Sequence, residues 1–139
     1  MANAQTARQA EDQRFIDLFT RLKPHGGMVS DDELRCLHTV SRTGLSVGSA
    51  LLRRELVAIE WRHRLWLPMF QFQLPAWALS RSVAAIVYEL HPVLQGFEMV
   101  EWFATPNPWL RQRLPLDVLE REPETVLRAA RADRFLIAF

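Results

Sequence analysis

The segment 102–119 constrains the fold of this chain more than any other, because Pro106, Pro108 and Pro115 divide it into short pieces. Proline lacks an amide donor and biases the residue before it away from helical backbone angles. Asn107 is a good helix cap, and Pro108 then stands in a first turn, where no amide donor is needed. The segment therefore predicts the end of one helix, an elbow, and the start of another short helix at Pro115.

The composition is that of a folded protein of one domain. Of the 139 residues, 49% are hydrophobic and 24% are charged, which is enough apolar material for a core. The net charge of +1 gives no electrostatic reason to expect nucleic acid or an anionic membrane as a partner. No segment has the features of a signal peptide or the roughly 18 apolar residues of a membrane span. We therefore expect a cytoplasmic protein that does not cross a membrane.

The periodicity of the apolar residues predicts a mainly α fold, a compact helical domain with one small β-hairpin. We expect a flexible tail over residues 1–10 and a helical segment over 11–55. The region 56–139 is expected to pack with the preceding helices as one domain.

The hairpin is predicted between residues 57 and 72, where the apolar period changes from that of a helix to that of a strand. Val57, Ile59 and Trp61 alternate with Ala58 and Glu60, which is the pattern of a strand. A turn over 62–64 would lead into a second strand over 65–72. Pro68 cannot donate to a sheet, so we expect the second strand at an edge or next to an irregularity.

Helices are predicted to begin after Ser30, Ser46 and Ser80, each of which can cap a helix, and at Pro123. Ser30 and Glu33 also have the spacing of a capping box. Gly44 is placed to end the first of these helices. The apolar positions expected to face the core are Phe15, Leu18, Phe19, Leu22, Leu34, Leu37, Val40, Val83, Ile86, Val87, Leu90, Trp102, Phe103, Val126, Leu127, Ala130 and Phe135.

The sequence contains no recognised motif for chemistry. The four histidines lie far apart, and none has a partner at a metal-ligand spacing. Phosphate-binding glycine loops and nucleophile motifs are absent from the sequence. Cys36 and His38 are two residues apart, which on a helix points them away from each other. We therefore expect no enzyme, no catalytic residues, no cofactor and no metal.

Residues 30–54 offer a DNA-binding alternative. They have the pattern of two helices joined by a glycine-containing turn, a degenerate helix-turn-helix, with Arg53 and Arg54 on the second helix. Arginines there would contact phosphate or guanine. The same pattern also arises from any two capped helices joined by a turn, and the chain has no basic stripe.

Two groups of residues together carry a resemblance to a known family. The first reads apolar-Pro-x-Phe-Gln-Phe from Leu67, and the second reads Trp-Phe-x-x-Pro-Asn-x-x-Leu from Trp102, followed by Leu-Pro-Leu. In this order and spacing, residues 56–135 resemble the C-terminal toxin-binding domain of the Xre/MbcA/ParS antitoxin family. The signature positions are Pro68, Phe70, Gln71, Phe72, Trp102, Pro106, Asn107, Leu110 and Pro115.

The resemblance implies a bacterial antitoxin that is not an enzyme and that neutralises a RES-domain toxin, an NAD-consuming enzyme. It also implies that the C-terminal end reaches towards the toxin's active-site cleft. On this sequence, the residues for that contact are Arg131, Arg134, Phe135 and Phe139. An alternative is that Phe135 and Leu136 dock on their own domain.

Further alternatives concern partners. Only a short region precedes the hairpin, whereas many family members carry a full DNA-binding domain, so autorepression is not expected. The chain would also fit an interaction module that kept the fold without a toxin partner. If Trp66 or Trp109 is exposed, a homo-oligomer is a further option.

Overall fold

The computed structural model describes residues 2–36 and 46–139. Seven α-helices and five short strands occupy these residues, so the predicted mainly α class is confirmed. The helices are α1 (Ala2–Leu22), α2 (Asp31–Cys36), α3 (Val47–Leu52), α4 (Arg81–Leu90), α5 (Phe97–Phe103), α6 (Pro115–Val118) and α7 (Pro123–Ala138). The strands are β1 (Met28–Ser30), β2 (Ile59–Trp61), β3 (Arg64–Pro68), β4 (Phe72–Gln73) and β5 (Ala78–Leu79).

The N-terminal helix α1 starts at Ala2, so residues 2–10, which belong to the predicted tail, are helical. Residues 3–11 are exposed, so packing does not explain their helical conformation. Alanine, glutamine, arginine and glutamate dominate this stretch, and all are strong helix formers. Local propensity extends the helix beyond its amphipathic part, which begins near Phe15.

The predicted hairpin is present, but the β structure around it is larger than expected. Strands β2 and β3 pair antiparallel, with Ile59 opposite Trp66. The turn residues Arg62 and His63 both have positive φ angles, 50° and 61°. Strand β1 pairs with the other side of β3, and β4 and β5 form a separate small sheet. The prediction of one small hairpin therefore describes the β structure only approximately.

Strand β3 is shorter than predicted and is not an edge strand. It lies in the centre of the order β1-β3-β2, so the expected edge position is wrong. The strand ends at Pro68, and a 3-10 turn over Met69–Gln71 follows, which confirms the expected irregularity. A central strand tolerates this proline because it occupies the last position, after which the Met69 amide donates to the Gly27 carbonyl (2.9 Å).

The core forms mainly between α1, α4, α5 and α7. Along α4 the predicted stripe of Val83, Ile86, Val87 and Leu90 is fully buried, and the helix starts at the predicted cap, Ser80. A smaller second cluster, containing Val29, Leu34, Ala50, Leu56, Leu67 and Phe72, packs around β3 and the helices α2 and α3. Three residues predicted for the end of α2, Leu37, Val40 and Gly44, lie outside the described residues.

Helix α1 is tied to the hairpin through Asp12. Its carboxylate accepts hydrogen bonds from the Trp61 indole (2.9 Å) and the Arg62 guanidinium (2.9 Å). One turn along the helix, the Phe15 ring stacks on Trp61 with the ring centroids 4.0 Å apart. The hydrogen bond from Arg62 is the main reason that the pKa of Asp12 is lowered, with the Trp61 bond adding to it and desolvation opposing it.

A lowered pKa for Asp12 predicts a specific pH dependence of stability. The ionised carboxylate favours the folded state above the unfolded pKa, and this contribution is lost as the pH falls through the lower folded value. We expect the melting temperature of Asp12→Asn to fall less steeply than that of the parent chain below about pH 4. Thermal denaturation between pH 2 and 7 measures the slope, with Glu120→Gln as an exposed control. Identical slopes for Asp12→Asn and the parent chain would contradict the linkage.

Candidate partner-binding site

The elbow after α5 is a closed loop from Asn107 to Arg113. The Asn107 side chain caps the 3-10 turn Pro108–Leu110 by accepting from the Trp109 amide (2.9 Å), as predicted. The Asn107 amide donates to the Arg113 carbonyl (3.0 Å), which closes the loop. Arg111 and Gln112 have φ angles of 58° and 64°, a conformation that costs a non-glycine residue on the order of 1 kcal/mol.

Asp133 of α7 joins the elbow to the C-terminal helix. One carboxylate oxygen, Oδ2, accepts from the Trp102 indole (2.8 Å) and the Asn107 amide group (3.0 Å). The other, Oδ1, accepts from the Trp109 indole (3.0 Å). The elbow therefore fixes the position of α7, and Trp102 and Asn107 have a positioning role.

Sequence reasoning missed Asp133, although a signal for it exists. Val126 and Ala130 are buried on α7, and position 133 continues their helical spacing on the same face. A carboxylate on the apolar face of a helix needs hydrogen-bond donors from another element. Nothing in the sequence shows which donors those are.

Replacing Asp133 tests this role. Asp133→Ala leaves three donors without their acceptor, so we expect the free energy of unfolding to fall by about 2 kcal/mol. For a chain of this length that corresponds to a melting temperature about 7 °C lower. Glu120→Ala, at an exposed position, should change neither value. A melting temperature for Asp133→Ala equal to that of Glu120→Ala would show that the elbow does not depend on this carboxylate.

Arg131 and Arg134, predicted to contact a toxin cleft, lie together next to Glu89 of α4. Arg134 approaches one Glu89 carboxylate oxygen at 3.2 Å, and Arg131 approaches the other at 3.8 Å. Both guanidinium groups remain about half exposed. Within the free chain these arginines therefore hold α7 on α4, on the helix face adjacent to that of Asp133.

The last residues of α7 project beyond these anchors and are exposed. Relative exposure is 65% for Phe135, 59% for Leu136, 49% for Ile137 and 94% for Phe139. We call these four residues the C-terminal tip. The Phe135 and Phe139 rings touch each other, with centroids 4.8 Å apart. The prediction that Phe135 faces the core is therefore wrong, and so is the alternative that Phe135 and Leu136 dock on their own domain.

The reason for this difference is that the domain ends before the helix does. The last fully buried residue of α7 is Ala130, and Asp133 contributes the last contact to the elbow. The helical period continues for another turn, but among the described residues no other element buries positions 135–139. Exposed apolar side chains that cluster in this way are typical of an interaction site.

Arg53 and Arg54, predicted to contact DNA from a second helix, lie just after the end of α3 rather than on it. Helix α3 starts at the predicted cap, Ser46, and ends at Leu52. Arg53 pairs with Glu55 (3.3 Å), and Arg54 has a φ angle of 62°. The turn of the predicted helix-turn-helix lies outside the described residues, so that alternative stays a prediction.

The other signature residues have structural positions. Phe70 packs on Phe103, with the ring centroids 4.8 Å apart. Phe72, Leu110 and Pro115 are buried, whereas Pro106 is exposed at the start of the elbow. Trp109 is 55% exposed, and Trp66 is half-buried beside Phe15 and Trp61.

The described residues hold neither a metal-binding cluster nor a membrane-spanning helix. Residues 2–36 and 46–139 contain no group of three or more histidine, cysteine or carboxylate side chains that could bind a metal ion. Over the same ranges, no helix has the length and apolar content needed to span a bilayer. Comparison with protein-family models, curated proteins and solved structures found no match. The resemblance to the antitoxin family therefore stays a prediction from the two motifs.

Proposed function

We propose that this chain is an antitoxin-like interaction protein that uses its C-terminal tip to bind and sterically neutralise a RES-domain toxin. The observation that carries the proposal is the exposed tip at the end of a helix held by two anchors, Asp133 and Glu89. The identity of the toxin class comes from the resemblance of residues 56–135.

The tip has the physical properties of an inhibitory segment. Burying a large apolar side chain is worth about 1.5–3 kcal/mol, so four such residues supply several kcal/mol towards association. Association also carries a cost in lost motion and side-chain ordering. Because Asp133 and Glu89 already hold α7, the helix loses little further freedom on binding, which reduces that cost.

The position of the arginines suggests how a cleft would be closed. Arg131 and Arg134 flank the base of the tip, and each retains an exposed guanidinium edge beside Glu89. A cleft that binds the phosphates of NAD is expected to be electropositive or lined with donors. Because the tip is apolar, it would fill this cleft through complementary shape and not through charge pairing. The arginines would then meet carboxylates at the rim, where bidentate pairing is favourable.

Co-expression tests this function. The chain is produced in a bacterial host together with an inducible RES-domain toxin, and growth and cellular NAD are measured. We expect the chain to restore both, and the two proteins to elute together in size-exclusion chromatography. A toxin that depletes NAD equally with and without this chain, and that elutes separately, would overturn the proposal.

A further inference from the structure

A second surface beside the elbow has the chemistry of a protein-docking site. It is an open cavity of about 480 Å³ that is lined by Trp109, Arg111, Arg113, Glu122 and Thr125. None of these residues belongs to the C-terminal tip. The cavity lies between the elbow and the first turns of α7, whereas the tip lies at the other end of that helix.

The Trp109 ring is exposed but held in one orientation. Its indole N–H donates to Asp133 (3.0 Å), and its backbone amide donates to the Asn107 side chain (2.9 Å). The polar atom of the ring is thus already paired, while 55% of the residue surface faces solvent. A rigid tryptophan that presents an apolar face loses little entropy on contact, which is why this residue is frequent at the centre of binding surfaces.

One cation beside Trp109 is unpaired, whereas the other charged groups around the ring have partners. Arg113 is paired with Glu122 (3.3 Å) and also donates to the Leu110 carbonyl (2.9 Å). Among the residues that the structure describes, Arg111 has neither a hydrogen-bond nor an ion-pair partner. The unpaired cation of this cavity is therefore Arg111, because Arg113 pairs with Glu122 and the Asp133 carboxylate accepts from Trp109.

The backbone places Arg111 at this position at a cost. Arg111 has a left-handed φ angle of 58° and is exposed, although glycine would adopt that conformation without strain. The closed loop from Asn107 to Arg113 holds it beside Trp109. A free guanidinium next to a fixed indole is suited to a carboxylate that carries an apolar neighbour, because the arginine fork pairs with the carboxylate while the ring contacts the apolar group.

We infer that the Trp109 cavity docks an acidic segment of a partner protein, one in which carboxylates flank an apolar side chain. The inference rests on the proposed function only for the identity of that partner. The partner would contact the tip at one end of α7 and the Trp109 cavity at the other. Asp133 serves both surfaces, since it orients Trp109 and fixes α7 two residues before the tip.

The first test needs no toxin. The chain labelled with nitrogen-15 is titrated with the peptide acetyl-Glu-Glu-Leu-Glu-Glu-amide, and the indole resonance of Trp109 is assigned from Trp109→Phe. We expect a saturable shift of this resonance and at least a tenfold weaker response in Arg111→Glu. Arg81→Glu, an exposed arginine on α4, should respond like the parent chain, and the peptide with lysine in place of glutamate should have no effect.

Two results of this titration would overturn the inference. One is a Trp109 resonance that does not move with the acidic peptide, or that moves equally in Arg111→Glu. The other is a response to single-stranded oligothymidine but not to the peptide, which would make the cavity a nucleic-acid site instead.

A second measurement separates this inference from the proposed function. With purified RES-domain toxin, we expect Arg111→Glu to weaken binding about tenfold and Arg81→Glu to leave it unchanged. A peptide response without toxin binding would support the cavity and refute the toxin as partner. Toxin binding that is unaffected by Arg111→Glu, together with no peptide response, would refute the cavity alone.

Discussion

Replacing Gln71 with leucine is expected to lower the free energy of unfolding by about 3 kcal/mol. Gln71 is fully buried after β3, and its side chain pairs with both backbone groups of Val57: the Val57 amide donates to it (2.7 Å) and the Val57 carbonyl accepts from it (2.9 Å). It also donates to the Pro68 carbonyl (3.2 Å). Leucine has a similar volume but leaves these buried groups without partners.

Urea denaturation followed by circular dichroism measures this loss. Gln73→Leu is the matched control, because it makes the same substitution at an exposed position two residues along the chain. We expect that control to stay within about 0.5 kcal/mol of the parent chain. An equal loss of free energy in both variants would show that the hydrogen bonds of the Gln71 side chain do not hold Val57 against the turn after β3.

Removing residues 136–139 is expected to abolish toxin neutralisation while the fold keeps its stability. The deleted side chains are exposed in the free chain, so the free energy of unfolding should change by less than about 0.5 kcal/mol. If they enter a cleft, their loss should weaken binding at least about 100-fold, since hot-spot residues each contribute 2 kcal/mol or more. Growth rescue and calorimetric titration with the toxin measure the effect.

Two point variants sharpen this test. Phe139→Ser changes the most exposed residue of the tip, at 94% exposure, and Leu52→Ser changes an 85% exposed leucine at the end of α3. Only the first should weaken binding. Neutralisation that survives the removal of residues 136–139 would refute insertion of the tip, and an equal effect of the two serine variants would point to non-specific apolar contact.

Predictions that depend on a few neighbouring residues agree with the structure. Ser46 and Ser80 cap helices by accepting from amides three residues on, and Asn107 caps the turn at Pro108. The stripe along α4 is buried as its spacing requires. In each case the interacting groups lie within one helical turn of each other, so their geometry follows from local backbone preferences.

Predictions that depend on distant partners agree less well. Strand β1 pairs with β3, which is distant in the sequence, and Val29 lies opposite Leu67. The three residues of β1 are too few to show an alternating pattern. Arg131 and Arg134 both approach Glu89 of another helix, a pairing that the sequence does not indicate. The residues of α7 do not indicate which helix lies beside them.

The sequence by itself determined the mainly α class, the caps, the proline elbow and the hairpin, because each is specified by residues close together in the chain. Only the tertiary structure decided that β3 is central, that Asp133 joins Trp102, Asn107 and Trp109, and that the tip is exposed. Phe135 shows the physical reason. Its helical spacing is compatible with a core position, but burial requires another element alongside, and the domain ends one turn earlier.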